Sequence, residues 1–152
     1  MNAEQRIKEL GLVLPPTAKA VGNYVGGVRV GNLLFMSGCG PRHNDGTPIT
    51  GKVGSALTLE QGYAAARVVG LNMLTNIRNQ LGSLDKVVRV VKVLGMVNAD
   101  PSFSDMPKVI NGFSDLFVEV FGEAGRGARS AVGMATLPGQ IAVEVEMVLE
   151  VE

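Results

Sequence analysis

An α+β domain, with one mixed β-sheet and two helices on one of its faces, is the fold class predicted for this chain, and three patterns predict it. From Ile141 onward, Ile141, Val143, Val145, Met147, Leu149 and Val151 share one side while Glu144, Glu146, Glu150 and Glu152 share the other. That is the period of two of a strand with a buried and a charged face. Leu84 to Asn98 is rich in valine, whose branched side chain suits a pleated surface better than a helix. Two further stretches, starting near Leu59 and Asp105, repeat apolar residues every three or four positions, and each lies between strand-like segments.

Taken in order, the chain opens with Ile7, Leu10 and Leu14 at helical spacing until Pro15-Pro16 stops the helix. We expect a helical extension over residues 1–17, appended to a main domain over 18–152. Between Tyr24 and Ser37 two apolar runs flank Val30-Gly31-Asn32, a hairpin signal that supplies the first two strands. After a loop over 40–56, Thr58-Leu59-Glu60-Gln61 has the form of a capping box. The helix it opens carries Leu59, Tyr63, Ala66, Gly70, Met73, Leu74, Ile77 and Leu81 on one stripe, and Gly82 is its expected stop. Leu84 to Asn98 then supplies a central strand. A second amphipathic helix follows over Asp105 to Phe121, with Pro107 in its first turn, and Gly122, Gly125 and Gly127 break it.

The last two strands read as a β-hairpin, opened by Arg129 and reversed at Leu137-Pro138-Gly139-Gln140. The order strand, strand, helix, strand, helix, strand, strand leaves one sheet face uncovered. That face is expected to carry Glu144 together with Ala131, Gly133 and Ala142, too featureless to stand alone in water, so burial against a second copy is expected.

Composition narrows the function classes. With 152 residues, 46% hydrophobic and 18% charged, the chain fits one globular domain. Fourteen basic and fourteen acidic residues cancel, and no basic block favours phosphate backbones, so nucleic acid is not an expected partner. The first residues, MNAEQRIKELGL, lack an apolar core, and no run of eighteen apolar residues occurs, so a cytoplasmic protein without membrane association is expected. The lone Cys39 excludes an internal disulfide framework and reads as a small, half-buried residue near a strand end. His43 is the only histidine, so one chain cannot build a two-histidine metal site, and its setting in PRHNDGTP reads as a solvated loop. No cofactor and no metal are expected.

Two residues can carry chemistry. Arg129 offers a permanent charge and a planar fork that matches the two oxygens of a carboxylate; the residues alone also allow it to tie a strand end to a local carboxylate such as Glu123. Glu144 can position and deprotonate a water if burial raises its pKa, or it can be one more charge on a solvated strand face. If Thr136 pairs with Ile141, Glu144 stands opposite Gly133, roughly 13 Å from Arg129. That is too far for a direct pair, so a glutamate from a neighbouring subunit would have to close the cleft, or both residues would have to face one pocket from opposite ends. Tyr24 offers a phenolic donor, or an aromatic packed across a hairpin.

The run Ala128-Arg129-Ser130, then Val132, Leu137-Pro138 and Val143-Glu144-Val145-Glu146, resembles the signature of the RidA/YjgF family, also called L-PSP proteins. Upstream, Gly22-Asn23-Tyr24-Val25, Gly31-Asn32-Leu33-Leu34-Phe35 and Ser37-Gly38 resemble the family's N-terminal hairpin, and Asn111 in VINGFSDLF occupies its helical asparagine position. The resemblance implies a chorismate-mutase-like fold, a homotrimer with three clefts between subunits, and hydrolytic deamination of 2-aminoacrylate-like enamines and imines to 2-keto acids and ammonia. It implies Arg129 as carboxylate anchor, Glu144 as the residue that guides water, and Tyr24, Ser37, Gly38, Asn111 and Ala131 as substrate contacts, with no cofactor. The chain departs from the pattern where Ala131 replaces a common cysteine, Gly133 a glutamate and Cys39 a glutamine. Two other functions stay open: a trimer that binds a small carboxylate without turnover, and an endoribonuclease or translation inhibitor, against which the neutral charge stands.

Overall fold

The computed structural model describes residues 2–152, and the chain forms α1 (Ala3–Glu9), β1 (Gly27–Val30), β2 (Leu33–Cys39), α2 (Leu59–Leu81), β3 (Val87–Asn98), α3 (Met106–Phe121), β4 (Ala128–Met134) and β5 (Val143–Val151). The five strands make one mixed sheet in the order β1-β2-β5-β3-β4, antiparallel except for the parallel pair β3–β4. Both main helices cover the same face. The reason is topological: β2, β3 and β4 run in one direction, and α2 and α3 are successive crossovers that step the same way across the sheet, so one hand of connection places both on one side.

Local signals explain the boundaries. The Thr58 hydroxyl accepts from the Gln61 backbone N–H at 3.1 Å and the Gln61 side chain accepts from the Thr58 N–H at 2.9 Å, satisfying two donors that a helix start leaves orphaned. At the other end, Gly82 ends α2 in the left-handed region at φ 81°. The two helices touch through Gly112, where a Cβ would lie 2.0 Å from the Tyr63 carbonyl oxygen. Phe113, Leu116 and Phe117 of α3, Met73 and Ile77 of α2, and Val145, Met147 and Leu149 of β5 are buried between helices and sheet.

The N-terminal helix stops at Glu9, where Leu10 caps it and Gly11 turns at φ 64°. That is well before the Pro15-Pro16 stop expected from the spacing of Ile7, Leu10 and Leu14, because a glycine in the left-handed region ends the helix first. Ala3 and Ile7 join the buried cluster. The Glu4 carboxylate takes two bonds from the Arg78 guanidinium, at 3.0 and 2.6 Å, and one from the Leu84 N–H at 2.9 Å.

Two further expectations are corrected. First, β4 and β5 do not form a hairpin: β3 lies between them, paired with β4 through Val93–Arg129 and with β5 through Val93–Met147. After Met134 the chain strides over the end of β3 through a short 3-10 turn at Pro138–Gln140, with Gly139 and Gln140 both at positive φ. Buried Asn98, at the end of β3, anchors this passage by accepting from Lys52 Nζ at 2.8 Å and donating to Gln140 Oε1 at 3.2 Å. Alternation reveals a strand's buried face but not its neighbour, which is why the proline-glycine turn was misread. Second, the uncovered face is not built from Ala131, Gly133 and Ala142. Ala131 and Gly133 share the helix side with Arg129, and Ala142 is fully buried. Register instead sets Val28, Phe35 and Val148 in one row of the open face, and Glu144, Met96 and Val132 in another.

Candidate functional site

The expected site residues fall into two groups on opposite faces of the sheet. Glu144 is in register with Met96, and Met96 with Val132. Arg129 lies three residues before Val132 on the same strand, and an odd step reverses the face. Two strand spacings across and three residues along separate the two Cα positions by roughly 14 Å. Within one chain they cannot share a ligand.

The first group surrounds Glu144 at the start of β5. Its carboxyl lies over Gly38, where a Cβ would approach the Glu144 Cδ to 3.1 Å, so the absent side chain leaves room for the acid. The adjacent Ser37 hydroxyl donates to the Val25 carbonyl at 2.5 Å. Tyr24, just upstream, is half exposed outside any strand, and its hydroxyl accepts from the Val21 N–H at 3.4 Å. Partial burial, and secondarily the charge of Glu146, push the Glu144 pKa above the ordinary carboxylate range. Burial first, and Glu144's charge second, push the neighbouring Cys39 thiol up to about 12. Cys39 is buried, further than the half-burial expected for it, and a thiol so placed is a weak nucleophile.

The second group gathers on the helix side around Arg129. Its Nη1 donates to Asn111 Oδ1 at 2.9 Å and to Ser114 Oγ at 3.1 Å, and its Nη2 donates to the Pro107 carbonyl at 3.4 Å. All three acceptors are neutral and belong to α3. Glu123, the local carboxylate that could have claimed Arg129, pairs with Arg126 at 3.2 Å instead, and Asp115 accepts from the Tyr63 hydroxyl at 2.7 Å. Among the described residues no carboxylate pairs with Arg129. The guanidinium also lies beside the first turns of α3, which hold no acidic residue, where the helix dipole is positive. A cation there gains little stability, and the local field suits an anion. A cavity of about 220 Å³ flanks it, lined by Val93, Asn111, Ser114, Phe117, Arg126 and Arg129 among others. Ala131 follows two residues along β4 on the same side, half-buried.

Thus Ser37, Gly38 and Glu144 come together with Tyr24 nearby, Arg129 comes together with Asn111 and Ala131, and the two groups stay apart. Ser114 was missed by sequence reasoning. Its signal is its spacing: three residues after Asn111, it lies on the same helix face and interrupts the apolar stripe. Elsewhere, His43 sits in an exposed turn, its N–H bonded to the Thr47 carbonyl at 2.9 Å.

A family model described as YjgF/chorismate mutase-like, putative endoribonuclease matches residues 4–150. Protein TCP17 of Trypanosoma cruzi is 45% identical over 145 residues, covering 95% of this chain and 91% of its own. The crystal structure of Atu1372, a protein with unknown function from Agrobacterium tumefaciens, is 40% identical with a TM-score of 0.89, covering 99% of this chain and 94% of that one. A putative endoribonuclease from Shewanella oneidensis is 33% identical with a TM-score of 0.95, covering 99% and 100%. For RidA from an Antarctic Psychrobacter the values are 27% and 0.63, over 89% and 94%.

Proposed function

Because this chain belongs to the RidA/YjgF family, with its chorismate-mutase-like fold, we propose that it hydrolyses reactive enamines and imines of the 2-aminoacrylate class to 2-keto acids and ammonia, in clefts formed between the copies of a homotrimer. The observation that carries this reading is the division of the site: an uncompensated guanidinium on one sheet face and a carboxyl with a raised pKa on the other. Neither half alone supplies both a carboxylate anchor and a base, and the uncovered sheet face, with Val28 52% and Phe35 45% exposed, offers the surface on which a second copy would bring its Glu144 to Arg129.

In this mechanism Arg129 clamps the substrate carboxylate, and backbone groups near Gly38 and Ala131 orient the imine, with Tyr24, Ser37 and Asn111 completing the contacts. After the enamine tautomerises to the imine, deprotonated Glu144 takes a proton from water as the water oxygen adds to the imine carbon. It then returns that proton to the carbinolamine nitrogen, which leaves as ammonia as the C=O bond forms, giving the keto acid. A protonated imine is already a strong electrophile, so general-base help of about 10² to 10⁴ in rate is enough.

The test uses two variants that should each be inactive, Arg129→Ala and Glu144→Gln, assayed for pyruvate formation from enzymatically generated 2-aminoacrylate. Unfolded and reassembled together, they should regain activity in about a quarter of their clefts, those that by random assortment draw both intact residues from different copies. Absence of recovery would place both residues in one chain's site or in none. The departures from the family pattern at Ala131 and Gly133 favour a second reading, a small-carboxylate-binding trimer without turnover; keto-acid binding with no pyruvate formed would establish it. An endoribonuclease would instead show salt-sensitive RNA cleavage that disappears with Arg129.

A further inference from the structure

Arg129 has five N–H groups, and where its protein acceptors lie decides which of them remain for a ligand. Nη1 donates to both Asn111 and Ser114 on α3, and Nη2 reaches the Pro107 carbonyl. Nε has no acceptor among the described residues and Nη2 has only one, so the Nε–Nη2 edge is the part of the fork left for the two oxygens of a carboxylate. A serine inside a helix commonly bonds back to the carbonyl one turn earlier. The Ser114 oxygen instead accepts from Arg129, while its neighbour on α3, Asp115, holds Tyr63.

We propose that Ser114 is a positioning residue of the anion site: together with Asn111 it fixes the Arg129 guanidinium by neutral acceptors alone, which turns its Nε–Nη2 edge to the ligand and leaves its charge undivided. The inference rests on the reading of Arg129 as the carboxylate anchor. A carboxylate at position 114 or 111 would hold the guanidinium as firmly but would compete with the ligand for it. A hydroxyl and an amide oxygen hold it without neutralising it. Removing the hydroxyl leaves the charge in place and frees the plane to rotate, so the cost falls on ligands that need two parallel hydrogen bonds.

The experiment is calorimetric titration of the full chain with 2-oxobutanoate and with its neutral amide. Ser114→Ala should weaken 2-oxobutanoate about fivefold, the effect of one net hydrogen bond. Ser114→Thr, which keeps the hydroxyl, should restore it, and the amide should bind all three proteins alike. Asn111→Asp gives an independent reading, since a new carboxylate on Arg129 should reduce 2-oxobutanoate affinity by on the order of a hundredfold and spare the amide. If Ser114→Ala binds as wild type while Arg129→Ala does not bind, the role of Ser114 is wrong and the anchor stands. If wild type does not bind 2-oxobutanoate, or Arg129→Ala binds it as well as wild type, both fall. Equal loss for acid and amide would make Ser114 a packing residue and overturn the proposal.

Discussion

At Glu144, burial and the Glu146 charge both oppose ionisation, and the sign of that effect sets two outcomes. The base form exists above the raised pKa, so the proposed deamination should accelerate as pH rises through a value above the ordinary carboxylate range and then level off. Glu144→Gln should lose that limb together with about 10² to 10⁴ of the rate. Stability runs the other way. The folded state binds this proton more tightly than the unfolded state, so the contribution is greatest below the unfolded pKa and declines as pH rises through the folded one. Urea titrations of wild type and Glu144→Gln should therefore converge in acid and favour the variant at neutral pH; a destabilised variant at pH 7 would mean that the carboxylate is satisfied in the fold. Cys39 gives the second outcome at this scale. With its pKa pushed up to about 12 and the side chain buried, native protein should resist thiol-specific disulfide reagents for hours and react fully once unfolded.

Among the elements, α1 and the α2–α3 contact carry separate predictions. Burial raises the Glu4 pKa, but the Arg78 bond, the Leu84 N–H and the charges of Arg78 and Lys8 outweigh it, so the net shift is downward. A lowered carboxyl stabilises above its unfolded pKa and loses that contribution as pH falls through the folded value. Glu4→Gln should cost about 1 to 2 kcal/mol at neutral pH, discounted because both partners are partly exposed, and the deficit should vanish in strong acid. At the helix contact, Gly112→Ala forces a methyl into the Tyr63 carbonyl and should destabilise by about 2 kcal/mol or more, seen as a lower denaturation midpoint at unchanged slope. The helices themselves were legible because their signals are local: a Thr58 cap, a Gly82 stop, a stripe every three or four residues. The pairing of β4 was not legible, because whether β5 folds back on it or crosses over β3 depends on which surface each strand buries once α3 is in place.

For the whole molecule, the open sheet face is the surface on which the proposed assembly depends. Phe35→Asp puts an unpaired charge into the row of Val28, Phe35 and Val148, and Val132→Asp puts one beside Met96 and Glu144; neither Phe35 nor Val132 belongs to the buried core. Both variants should keep the native circular dichroism spectrum, sediment as monomers and lose the proposed activity together with the proposed trimer. A Phe35→Asp protein that remains trimeric would place the subunit contact elsewhere. The chain by itself determined the element order, the limits of α2 and α3 and the buried side of β5, since propensity, capping and periodicity act over a few residues. Its resemblance to the family singled out Arg129 and Glu144. Only the tertiary structure decided that β3 separates their strands, that they lie on opposite faces, and that Asn111 and Ser114 hold the guanidinium while Arg126 takes Glu123. Those facts arise between residues far apart in sequence, where the competition for a partner is settled by packing and not by pattern.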